Sequence, residues 1–140
     1  MRLFLGAEIS FDSEYPFGKL NRIFNKELEN FTEADPLDDA YGSEFTNIAI
    51  ITTILGKDLK GMWKERRLVR HKKKTADIRL EIDYDRFVYS DEHTQMLLYA
   101  KNIIDSIMAV EERKKGDFNG KKLIDDILSA LDLTLEDINI

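Results

Sequence analysis

Apolar and polar positions alternate at the start of the chain. Leu3, Leu5 and Ala7 alternate with Arg2, Phe4 and Gly6, which predicts a strand ending at Ile9. Phe4 makes both faces apolar, so this strand is expected inside the sheet. The period then lengthens. Leu20, Ile23, Phe24, Leu28 and Phe31 form one stripe of an amphipathic helix, with Asn21, Arg22, Lys26, Glu29 and Asn30 on its wet face. Pro16 suits its first turn, and Pro36 disfavours helix at Asp35, so the helix should end near Ala34. An Asp-rich loop, Asp35 to Glu44, leads into the β-branched run Thr46 to Leu55, read as a central strand buried on both faces.

A further strand is expected from Met62 to about His71. From Ala76 to Tyr84 the alternation is strict. Ala76, Ile78, Leu80, Ile82 and Tyr84 face one way, and Asp77, Arg79, Glu81 and Asp83 the other, the pattern of a half-solvated strand. Lys72 to Thr75 lacks the Asn-Gly or Asp-Gly of a tight turn, so a looser hairpin loop is expected. Charge proposes the register. Arg70 opposite Asp77 also sets Arg66 opposite Glu81 and Lys64 opposite Asp83, each pair contributing ~0.2–1 kcal/mol. The same register sets Val69 against Ile78 and Trp63 against Tyr84. Ser90 is the expected N-cap of a helix running to about Lys115, its stripe traced by Leu97, Ala100, Ile104, Ile107, Met108 and Glu111 and widened by Met96, Tyr99, Ile103 and Val110. Asp117 or Asn119 should cap a last helix with the stripe Leu123, Ile124, Ile127, Leu128 and Leu131, and the tail from Leu133 should add a turn.

The element order is β-α-β-β-β-α-α. Short connections after the first helix predict a two-layer α+β domain, with a mainly antiparallel four-stranded sheet covered on one face by helices. At 140 residues, with no long linker, residues 1–140 form a single domain. Apolar residues at 43% provide a core and argue against disorder. With no cysteine, disulfides, thiolate metal sites and Cys nucleophiles are excluded. No signal-peptide pattern develops, and the longest apolar run, Ile48 to Leu55, is far shorter than a membrane span. A cytoplasmic protein with no membrane association is expected.

The net charge of −6 is segregated. Glu8 to Glu44 carries ten acids against three bases, Lys57 to Lys74 nine bases against two acids, and the remainder from Thr75 fifteen acids against eight bases. Solvated surface accounts for such blocks in general, but an acidic total also repels nucleic acid and attracts basic partners.

Catalytic constellations are sparse. His71 sits among cations and His93 in a helix first turn, neither with ligand spacing. Asp77, Glu81 and Asp83 could bind a divalent cation, as a metal-dependent hydrolase would require, but pairing with the basic strand explains the same residues without any chemistry and is the favoured reading. No phosphate-cradling glycine motif or nucleophile elbow occurs. No catalytic residue, metal site or cofactor is therefore assigned. Two surfaces remain. The basic hairpin, with Arg66, Arg70, Lys72, Lys73 and Lys74, could touch phosphates as a small nucleic-acid-binding or regulatory domain, against the acidic total charge. The acidic loop combines charge with an aromatic anchor, as a binder of a basic protein needs.

The opening Leu3-Phe4-Leu5-Gly6-Ala7-Glu8 and the long helix after it carry a family likeness. So does Lys72-Lys73-Lys74-Thr75-Ala76-Asp77-Ile78-Arg79-Leu80-Glu81-Ile82-Asp83-Tyr84, followed by Phe87 and a C-terminal helical pair. Together they resemble the small α+β immunity proteins encoded beside the toxins of bacterial polymorphic toxin systems. The resemblance implies a non-catalytic inhibitor that binds a cognate toxin, one expected to be basic. Under that implication Asp35, Asp38, Asp39, Tyr41 and Glu44 are the expected contact surface. Monomer and homodimer both stay open, since the strand beginning at Trp63 could pair at an exposed edge.

Overall fold

The computed structural model describes residues 1–10, 17–33, 40–55, 67–72, 74–113 and 116–139. Four strands, β1 (Arg2–Ser10), β2 (Asn47–Leu55), β3 (Arg67–Lys72) and β4 (Thr75–Asp83), form one sheet in the order β1-β2-β4-β3. The helices are α1 (Phe17–Glu27), α2 (Glu29–Thr32), α3 (Tyr84–Val88), α4 (Glu92–Glu112) and α5 (Gly120–Ala130).

The sheet is not mainly antiparallel. β1 and β2 pair in parallel, β2 and β4 pair in parallel, and only β3 and β4 are antiparallel. The physical reason lies in the connections. α1 and α2 carry the chain back across the sheet between β1 and β2, the helical crossover that parallel strands require. β3 follows β2 in sequence but lies on the far side of β4 in the sheet. β2 and β3 are therefore sequence neighbours but not sheet neighbours. β1 also lies at an edge, not inside the sheet. Its outward Phe4 stays 44% exposed, under the Arg2 guanidinium 4.8 Å from the ring centre.

The charge-derived hairpin register holds over the described pairs. Arg70 is the partner of Asp77 and Val69 that of Ile78. The proposed pairs through Trp63, Lys64 and Arg66 lie outside the described residues, as do Pro16 and Ala34. The hairpin connection is tighter than expected, since Lys72 and Thr75 are themselves partners and only two residues join them.

One face of the sheet is dry. Leu3, Ile48, Ile50, Ala76 and Ile78 are buried beneath helices, in one cluster with Leu20, Phe24, Leu28, Tyr99, Ile103 and Ile107. Each such leucine, isoleucine or phenylalanine side chain contributes about 1.5–3 kcal/mol by leaving water. On the opposite face Asp77 is exposed and Ala49 and Ile51 are half-buried. β2 is central, and its consecutive Thr52 and Thr53 are both buried although they point to opposite faces. Tyr99 is fully buried, edge-on to Phe24 with ring centres 4.5 Å apart, and its hydroxyl donates to Asn21 Oδ1 at 2.6 Å. Burial raises its pKa well above the ordinary tyrosine value, so the phenol stays neutral.

The first helix is interrupted at Leu28, where the Asn25 carbonyl accepts from the Thr32 hydroxyl at 3.3 Å. Asp91, not Ser90, caps α4, accepting from the Thr94 amide at 2.7 Å. The Ser90 hydroxyl instead donates to the Arg86 carbonyl at the end of α3, a short helix that the strand pattern concealed. On α4 the buried stripe is broader than the apolar pattern, taking in Asn102 and Ser106, while Met108 is exposed. Asn119 caps α5, as expected, accepting from the Lys122 amide. α5 ends in a left-handed Asp132 (φ 55°) with Leu133 N–H bonded to Leu128 O, which satisfies the last carbonyls. The tail folds into a further turn anchored by buried Ile138.

Candidate functional site

The acidic segment ends where α4 turns into α5. Asp35, Asp38 and Asp39 lie outside the described residues; Tyr41 and Glu44 lie within them. Tyr41 is half-buried. Its hydroxyl donates to Asp126 Oδ2 on α5 at 2.7 Å, its carbonyl accepts from the Asn119 amide at 2.9 Å, and Lys122 Nζ lies 5.3 Å from its ring centre. Lys122 Nζ also donates to the Ala40 carbonyl at 3.3 Å. Phe31 of α2 approaches the same ring, with centres 6.4 Å apart. Tyr41 thus fastens the segment to α2 on one side and α5 on the other.

The next residues complete the clasp. Gly42 has φ 96°, and a Cβ built on it would lie 2.0 Å from the Asp117 carbonyl oxygen. Only glycine fits, for both conformational and steric reasons. The Glu44 amide donates to that same carbonyl at 3.0 Å, and its half-buried side chain lies over Gly116. Phe45 then buries edge-on against Phe118, 5.0 Å between centres. Glu111 of α4 closes the corner by accepting from the Gly120 amide at 2.7 Å.

The elements that form the clasp carry exposed acids: Glu29 and Glu33 at α2, Asp117 before α5, and Asp125 on α5. Asp126, the partner of Tyr41, is half-buried. The clasp partners Asp117, Asn119, Lys122 and Asp126 escape sequence reasoning because they lie roughly eighty residues from Tyr41. The one local signal is Gly42-Ser43 at the loop's end.

The basic hairpin meets the same end of the sheet. The Thr46 amide donates to the Lys74 carbonyl at 2.8 Å, and its hydroxyl to the same atom at 3.2 Å. Lys74 is exposed. Arg70 and Lys72 lie on β3, while Arg66 and Lys73 fall outside the described residues. The start of β2, just after the acidic segment, therefore adjoins the basic hairpin. Among the described residues no group of three or more His, Asp or Glu side chains is placed to hold a metal ion. Likewise, no described helix is long and apolar enough to cross a membrane.

A protein-family model described as Immunity protein 44 matches residues 1–132. No curated protein and no solved structure matches the chain.

Proposed function

The chain belongs to the Immunity protein 44 family, and from that premise we propose that it is a non-catalytic inhibitor that binds and neutralises a cognate bacterial toxin through an acidic surface. The match over nearly the whole chain carries this reading. The toxin is a basic protein encoded beside it in a polymorphic toxin system, and the two meet in the cytoplasm before the toxin is exported. Asp35, Asp38, Asp39 and Glu44 supply the charge that steers the encounter, and Tyr41 holds the end of their segment against α5. Acidic charge facing a basic partner acts chiefly on the association rate, and salt screens it.

The test is association kinetics between the full chain and the toxin domain encoded in the neighbouring gene. Replacing both Asp38→Ala and Asp39→Ala should slow association by about tenfold at low salt and flatten its salt dependence, with little change in dissociation. Unchanged association would take this segment out of the interface.

A further inference from the structure

The corner between α3 and α4 presents a highly exposed aromatic side chain. Tyr89 is 81% exposed. Phe24, Phe31, Phe45, Phe87, Tyr99 and Phe118 are all buried.

The backbone beneath Tyr89 is firmly tied. Its amide donates to the Asp85 carbonyl at 3.1 Å, and the Ser90 amide to the Phe87 carbonyl at 3.3 Å. The Ser90 hydroxyl bonds the Arg86 carbonyl. Gln95 Nε2 reaches back from α4 to the Phe87 carbonyl at 2.9 Å, and the Phe87 ring is fully buried below. Two residues on, Asp91 caps α4; the Thr94 amide hydrogen bond holds its carboxyl below the usual aspartate range, so it stays charged at neutral pH. A large ring on a rigid mount loses little entropy when covered, which is why tyrosines recur as the energetic centres of interfaces.

The charges around it select the partner. Asp91 and Glu92 are exposed and Asp85 is half-buried, against Arg86 on the corner and Lys19, whose ammonium lies 4.0 Å from Glu92. Together with the net charge of −6, this rim favours a partner with basic groups around an apolar pocket.

We propose that Tyr89 is an aromatic anchor for the toxin, seated in an apolar pocket rimmed by basic groups that face Asp85, Asp91 and Glu92. This rests on the toxin-binding reading above, and adds a contact at the opposite end of α4 from the acidic segment.

The experiment compares the affinity of the full chain for the toxin domain of the neighbouring gene across wild type, Tyr89→Ala and Leu135→Ala. Leu135 is also exposed, at 55%, and serves as a control for loss of apolar surface. Tyr89→Ala should weaken binding about 30-fold, the loss that marks an interface hot spot, with unchanged thermal stability. Leu135→Ala should stay within about twofold of wild type. Tight wild-type binding with Tyr89→Ala equally tight would overturn the anchor and leave the inhibitor reading standing. Loss of self-association in Tyr89→Ala, with toxin affinity intact, would assign the corner to a second copy and overturn it too. A wild-type chain that does not bind the toxin would remove both readings.

Discussion

Tyr41 and Tyr89 sit near opposite ends of α4, about 30 Å apart for a helix of its length. Both are tyrosines in acidic stretches of sequence, and both follow a short helix. Their fates differ. Tyr41 is drawn in by Asp126, Asn119, Lys122 and Phe31. Tyr89 stands in solvent on a backbone fastened by local bonds. One aromatic shapes the surface by bonding inward, and the other leaves its ring open to solvent. Local sequence does not distinguish them, because the partner of the Tyr41 hydroxyl lies 85 residues away.

The sharpest way to break the comparison is at Gly42. Gly42→Ala must accept φ 96° and a methyl group 2.0 Å from the Asp117 carbonyl oxygen, so the clasp has to move. A loss of about 3 kcal/mol in denaturant unfolding is expected. A loss below about 1 kcal/mol would show that the clasp is not held as described. A smaller effect separates the two tyrosines. Tyr41→Phe removes one hydrogen bond to a carboxylate and should cost about 1.5 kcal/mol, while Tyr89→Phe should leave stability within about 0.5 kcal/mol of wild type. Equal costs would erase the distinction between an inward and an outward tyrosine.

Much of the fold is legible in short-range pattern. The strict alternation of Ala76 to Tyr84 locates β4, and the opposite charges of Arg70 and Asp77 give the hairpin register, because both are properties of neighbouring residues. Asn119 reads as a cap for the same reason. Strand order is not legible in that way. The β-branched run of β2 fits a parallel or an antiparallel neighbour, and nothing local records that β4 inserts between β2 and β3. Ser90 and Asp91 are both good caps, and the choice fell to Asp91 because the end of α3 engages the Ser90 hydroxyl. Of the candidate surface, the acidic charge is legible and the clasp is not. Gly42 marks a turn in the sequence, but half of its need for glycine, beside its φ of 96°, arises from the Asp117 carbonyl in the distant α4–α5 corner. Tyr89 passes unnoticed in the sequence because exposure depends on what fails to pack on it.

The most direct measurement is a titration of the purified full chain into the toxin domain of the neighbouring gene, following toxin activity and complex stoichiometry together. A one-to-one complex is expected, with toxin activity falling to zero at equivalence. A toxin that keeps its activity at excess chain, bound or unbound, would contradict the inhibitor reading.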